Sequence, residues 1–313
     1  IRTGKLKETK DILMQYLDNI SIDGRIPNRM PASSLGCADG VGWVFKRLRD
    51  LVETARQQKR LEKLFTSADM EKISKRLTVS LARIERMFQQ DGLIRNNPLE
   101  TWMDTRWQHL DGREGFCIEI QCQYLNMLRF AYELTHDEKY KRSMERMSLV
   151  VKNAFFNGKL LADRKDDFTQ RPNIFIAYYH YPELLSRMEW ETAFASALPK
   201  LWLPWGGLSS IDTSHHLFTD HHTGASNQSY HRGDTWYWIN NLAALCLWRN
   251  NPIRFEREIA LISEASAKEI LWSGSLGDHA EVGDAKELSS KGCLSQAWSA
   301  AFFIELMLEV YER

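Results

Sequence analysis

Two kinds of helical pattern alternate along this chain, and they constrain the fold more than any other feature. Ser67–Gln90 places Ile73, Leu77, Leu81, Ile84 and Phe88 at spacings of 4, 4, 3 and 4, with Lys, Arg and Glu opposite. Such a stripe predicts an amphipathic helix with one face on a core. Asp137–Phe156 repeats the pattern through Tyr140, Met144, Met147 and Val151, and Lys5–Leu17, Asp39–Ala55, Glu183–Leu198 and Arg254–Leu271 also read as helices. Three stretches are of another kind. Cys117–Leu134 is apolar almost all round, yet Glu119, Gln123 and Asn126 share a face at i, i+4 and i+7. Gly233–Trp248 is aromatic and apolar, with Trp236 and Asn240 at i and i+4, and Cys293–Val310 opens with the small residues Ser295, Ala297, Ser299, Ala300 and Ala301. A helix apolar on every side is expected to be buried on every side, and a polar stripe on it needs partners or a wet cavity.

Outer amphipathic helices and inner apolar ones predict two concentric layers of helices, with loops or polar stripes of the inner layer lining a pocket. Convincing strands are few. Three stretches of about twenty residues or more, Arg95–Phe116, Pro199–Arg232 and Trp272–Gly292, lack periodicity. Loops of that length in a compact domain are commonly functional, and these are rich in Trp, Gly, Asp and His. No repeat, low-complexity segment or linker divides the chain, so 1–313 reads as a single domain.

Charge excludes some classes of partner. Lys plus Arg and Asp plus Glu both number 41, so no basic excess points to nucleic acid or an anionic membrane surface. The longest apolar run, Ala300–Val310, is cut by Glu305 and Glu309, which leaves no membrane span. Residues 1–10 do not read as a signal peptide. The five cysteines, 37, 117, 122, 246 and 293, form no C-x-x-C pair. Reduced, buried thiols in a cytoplasmic protein are the expectation.

The 11 tryptophans are the unusual part of the composition. Several lie in loops beside Asp, Glu, Arg and His, where an indole face can pack on the C–H face of a pyranose. Core packing is the alternative for each. In the first long loop, Glu100-Thr101-Trp102-Met103-Asp104 sets a carboxylate among aromatic residues, where burial would raise its pKa and fit it to act as a general acid. Capping a turn or pairing with Arg106 is the alternative. The third loop offers Asp278, His279, Glu281 and Asp284, any of which could activate water, or which could form a solvated acidic loop. Ser229–Trp238 presents a phenol, an imidazole, a guanidinium and two indoles ahead of a buried helix that Asp234 is expected to cap. His215, His216, His221 and His222 are adjacent pairs that seldom aim at one ion, with no H-E-x-x-H, so no metal is expected. Neither a P-loop nor G-x-G-x-x-G nor G-x-S-x-G occurs, and no organic cofactor is implied.

Taken in order, eight segments resemble the amylo-α-1,6-glucosidase domain of glycogen debranching enzymes. They are Asp23-Gly24-Arg25-Ile26-Pro27-Asn28-Arg29, Ala38-Asp39-Gly40-Val41-Gly42-Trp43, Glu100-Thr101-Trp102-Met103-Asp104 and Gly115-Phe116-Cys117-Ile118-Glu119-Ile120-Gln121. Arg171-Pro172-Asn173, Gly207-Leu208-Ser209-Ser210, Tyr230-His231-Arg232-Gly233-Asp234-Thr235-Trp236 and Gly292-Cys293-Leu294-Ser295-Gln296-Ala297-Trp298-Ser299 follow. Each is weak alone; their order makes them strong together.

The resemblance implies an all-α (α/α)6 barrel of the six-hairpin glycosidases. It implies an inverting glycoside hydrolase that removes α-1,6-linked glucose at branch points of glycogen or a related α-glucan. By the T-W-M-D match Asp104 would be the general acid. Glu281 would be the base, with Asp278, Asp284 and Glu287 as rivals. Sugar-binding roles would fall to Asp39, Trp43, Trp102, Arg113 and Glu119 in the first half. In the second half they would fall to Arg171, Tyr230, His231, Arg232 and Trp236, then Gln296 and Trp298. Two departures stand out. Gly40 and Gly42 replace more Ala- and Leu-rich residues and are expected to start their helix loosely. The chain opens at Ile1, ten or eleven helices can be counted instead of twelve, and a family segment upstream is missing, so an N-terminally truncated domain is expected. Rival functions are another α-glucosidase of this fold, a glucan-binding module without catalysis and, last, a helical scaffold for protein partners.

Overall fold

The structure, a computed structural model, describes residues 1–29, 36–108 and 111–312. The chain divides into two compact units, Ile1–Asp104 with Gly112–Ala154 and Thr105–Asp111 with Phe155–Arg313.

The first unit holds α1 (Leu6–Asp18), α2 (Gly40–Gln57), the single turn α3 (Leu61–Leu64), α4 (Ser67–Phe88), α5 (Ile118–Thr135) and, up to Ala154, α6 (Glu138–Phe155). The short strands β1 (Gln89–Gln90) and β2 (Leu93–Ile94) form a hairpin after α4. Thr66 and Asp69 close a reciprocal capping box at the start of α4. Its stripe Ile73, Leu77, Leu81 and Ile84 is buried, and α4 packs on α5. Each such side chain taken from water contributes about 1.5–3 kcal/mol. As expected, α5 is buried nearly all round, from Ile118 to Leu128. Gly42 does not loosen the start of α2. A Cβ there would lie 2.6 Å from Gln123 Cβ, so the missing side chain lets α2 press on α5.

The second unit holds α7 (Asn173–His180), α8 (Arg187–Leu201), α9 (Tyr237–Asn250), α10 (Glu256–Trp272) and α11 (Ala297–Val310), with the antiparallel pair β3 (Thr235–Trp236) and β4 (Val282–Gly283). Helix α9 is the centre of this unit and packs on α7, α8, α10 and α11. Twelve of its fourteen residues are buried. Three expectations change here. Helix α11 is buried on one face, through Ser299, Phe302, Glu305 and Leu306, not on every side. Trp236 is not helical: pairing with Val282 holds it extended, and α9 starts one residue later. Asp234 caps nothing on α9, because it bonds His222 Nδ1 at 2.7 Å.

Cys117, Cys122 and Cys246 are buried as expected, Cys37 is half-buried, and Cys293 is exposed because it lies in the loop before α11. No helix among the described residues is long and apolar enough to cross a membrane.

Candidate active site

In the first unit the loop carrying Thr101–Asp104 is fixed from both ends. Asn96 and Gly115 exchange backbone bonds at 2.8 and 3.0 Å, and Leu99 N donates to Gly112 O at 2.9 Å. Arg25 explains the first motif of the chain. Its guanidinium reaches Glu100 at 2.7 Å and Asp23 at 2.7 Å, and it lies 4.2 Å over the Phe88 ring. Burial acts to raise the Glu100 carboxyl, but Arg25 and Asn97 together hold it below the ordinary range.

Asp39, just before α2, accepts Trp102 N at 2.9 Å and Cys37 Sγ at 3.3 Å. Glu119, in the first turn of α5, is fully buried and receives both arms of Arg113, at 2.6 and 3.0 Å. Arg113 also donates to Thr101 Oγ1 at 3.0 Å. Asp39, Trp102, Arg113 and Glu119 thus gather around one loop, and Trp43 sits in the first turn of α2. Burial pushes the Asp39 carboxyl up to about 6, and the charge of Glu119 adds to the rise against the donors Cys37 and Trp102. Asp104 is exposed. The burial that its aromatic neighbours suggested belongs to Asp39 instead.

In the second unit the β3–β4 pairing joins the Tyr230–Trp236 segment to the acidic loop. Tyr237 N donates to Glu281 O at 3.3 Å, and Glu281 N donates to Cys293 O at 2.8 Å. The Glu281 carboxylate accepts from Tyr230 Oη at 2.8 Å and Gln296 Nε2 at 3.2 Å on Oε1, and from Cys293 N at 3.1 Å on Oε2. Gly292 has φ +65°, and a Cβ there would collide with the same carboxylate, so the glycine admits Glu281 to this place. The rivals sit otherwise. Asp278 accepts Ser275 Oγ at 3.0 Å, Asp284 holds His222 N and Lys286 N, each at 2.8 Å, and Glu287 is exposed.

Aromatic faces lie beside Glu281. Trp236 stacks on His231, with ring centroids 5.1 Å apart and planes 10° apart, and meets Tyr230 at 4.7 Å. Its Nε1 donates to Tyr230 O at 2.7 Å. Trp298 is half exposed and packs edge-on to Trp238 at 5.1 Å.

The two arginines of this unit share a carboxylate that sequence reasoning missed. Arg232 reaches Asp111 at 2.6 Å through Nε and at 2.9 Å through Nη2, and donates to Thr105 O at 2.7 Å. Arg171 lies 3.6 Å from Asp111 and donates to His231 O at 2.7 Å and Ser210 O at 3.2 Å. Asn173 of the same motif donates to Asp163 at 2.7 Å. Nothing near Asp111 in the sequence marks it as the partner of residues 60 and 121 positions further on. Among the described residues no group of three or more His, Cys, Asp or Glu gathers to hold a metal ion.

A family model described as amylo-alpha-1,6-glucosidase matches residues 1–305. The chain belongs to that family. No curated protein matches it. Among solved structures, the chain is similar to the GH63 mannosylglycerate hydrolase of Thermus thermophilus in complex with glucose. The TM-score is 0.68 at 14% identity, over 98% of this chain and 89% of that one. An uncharacterized conserved protein from the same organism gives 0.68 at 13% identity, over 96% and 88%. A wild-type glycosidase gives 0.62 at 12% identity, over 97% and 78%. The fold is the (α/α)6 fold of these glycosidases, and the family places the chain among the glycoside hydrolases.

Proposed function

We propose that the chain hydrolyses an α-1,6-linked glucose at branch points of glycogen or a related α-glucan, with inversion, using Asp104 as general acid and Glu281 as general base. The observation that carries this reading is the binding of the Glu281 carboxylate by Tyr230, Gln296 and Cys293 N. An ionised carboxylate offers about four lone-pair sites. Two donors on Oε1 and one on Oε2 leave a site on Oε2 for a water molecule, whose proton the carboxylate takes as that water attacks the anomeric carbon. Asp104 supplies the proton to the departing glycosidic oxygen. Its exposure suits a group that must meet a large substrate. Acid–base hydrolysis of this type draws on two carboxyl groups about 6.5–9.5 Å apart, with a water held between one of them and the sugar.

In this scheme the buried, mutually stacked Trp236 and His231 rings back the segment that carries Tyr230, the half-exposed Trp298 is the indole that meets a pyranose, and Asp39 offers hydroxyl-binding oxygens. Arg113, Glu119, Arg171 and Arg232 act in this scheme by holding the loops that carry these groups, since each is buried in an ion pair.

A second reading is favoured by one similarity: a fold neighbour is named for hydrolysis of mannosylglycerate, so a small glycoside is the alternative substrate. Comparing turnover of a branched limit dextrin, an α-1,4-linked maltooligosaccharide and mannosylglycerate separates the two. The α-1,6 reading expects free glucose from the limit dextrin at the highest kcat/KM. Preference for mannosylglycerate overturns it.

A further inference from the structure

The loop between α10 and α11 is tied down by one buried carboxylate that the reaction scheme does not use. Glu269, in the last turn of α10, is 1% exposed. Its Oε2 lies 2.6 Å from His279 Nδ1, and its Oε1 accepts Ser290 Oγ at 2.5 Å. Ala280 N approaches both oxygens at 3.4 Å.

The neighbours of His279 define its ring. Asn241 Oδ1 accepts Ser266 Oγ at 2.8 Å, so its Nδ2 faces His279 Nε2 at 3.0 Å and Ser299 O at 3.3 Å. Nε2 is then the acceptor and the ring proton sits on Nδ1, aimed at Glu269. The backbone repeats the arrangement: His279 O accepts Gln296 N at 2.8 Å.

Glu269 therefore draws together two limbs of the loop, one two residues before Glu281 and the other three residues before Cys293. Those limbs carry the Glu281 carboxylate and its backbone donor. We infer that Glu269 is a positioning residue for Glu281, acting through His279 and Ser290 to set where the carboxylate meets its donors and the attacking water. This rests on the reading of Glu281 as the base.

The test compares steady-state kinetics of release of glucose from limit dextrin, with circular dichroism as a check on folding, for Glu281→Gln, Glu269→Gln, His279→Asn and His279→Gln. Glu281→Gln lowers kcat by more than about 1,000-fold if it is the base. Displacement of a reacting group by about an ångström costs on the order of 100-fold, so Glu269→Gln lowers kcat by about 10- to 100-fold with KM within about threefold. An Asn amide at 279 keeps a donor where Nδ1 lies, and His279→Asn retains kcat within about fivefold. A Gln amide falls nearer Nε2, and His279→Gln drops like Glu269→Gln. Should Glu269→Gln not fold, the contrast between the two His279 variants decides the matter. Loss of activity in Glu281→Gln with kcat unchanged in Glu269→Gln, or with the two His279 variants alike, overturns the positioning role alone. Full activity in Glu281→Gln overturns the base and the positioning role together.

Discussion

Arg113 and Glu119 lie six residues apart and form a forked ion pair, Nη1 to Oε1 at 2.6 Å and Nη2 to Oε2 at 3.0 Å, with exposures of 3% and 0%. Removing one partner from such a pair strands a charge in the interior, at about 3–5 kcal/mol. Arg113→Ala is expected to lower unfolding free energy by that amount in urea titration, and the double variant Arg113→Met with Glu119→Leu to recover most of it. Additive losses in the double variant would show that the pair does not act as a unit.

Asp39 gives the account a pH signature. Its carboxyl is raised by burial, and by the charge of Glu119, from an ordinary 3.8 to about 6. Below pH about 4 the carboxyl is protonated in the folded and unfolded chain alike. Between pH about 4 and 6 the unfolded chain releases the proton first, so this group lowers stability as pH rises. The full loss above pH 6 is about 3 kcal/mol. Asp39→Asn should therefore be more stable than wild type at pH 7 and no more stable at pH 4, as thermal melts at the two values will show. Equal melting differences at both values would contradict the raised carboxyl.

Asp111 is expected to matter although it touches no substrate in the scheme. Asp111→Asn leaves the buried guanidinium of Arg232 without its charge partner and weakens the tie to Thr105, the residue after Asp104. We expect a stability loss of about 2–4 kcal/mol and a fall in kcat, read by melts and glucose release. Unchanged values of both would remove Asp111 from the account.

Asp104→Asn is expected to abolish release of free glucose from a branched limit dextrin while leaving glucan binding nearly intact, as measured by affinity electrophoresis alongside turnover. Full activity in that variant would remove Asp104 from the mechanism.

How much of this was legible follows from the range of each interaction. Stripes such as Ile73–Leu77–Leu81–Ile84 and the apolar α5 are local, and they marked helices within a few residues of their observed ends. Helix α7 was missed because Asn173–His180 is short and almost uniformly apolar and aromatic, so it shows no period. Helix α8 begins at Arg187 and not at Glu183, and the Ser186–Glu189 capping box is a local signal that could have placed it. The Asp91-Gly92 pair likewise marks the β1–β2 hairpin, with φ of 53° and 79°. Nothing local could show that Thr235–Trp236 pairs with Val282–Gly283, and that pairing displaced Trp236 and Asp234 from their expected helical roles. The same holds for the candidate site. The resemblance put Glu281 first among four carboxylates, with Asp278, Asp284 and Glu287 as rivals, but Tyr230, 51 residues earlier, and Glu269 and Asp111 as anchors become visible only when the chain is folded.

The most direct test of the proposed reaction is the configuration of the glucose at the moment of release. Proton NMR of wild-type protein acting on a branched limit dextrin should show the β-anomer of glucose first, with the α-anomer growing in later at the rate of spontaneous mutarotation. An α-anomer that appears first would contradict single displacement by water activated at Glu281.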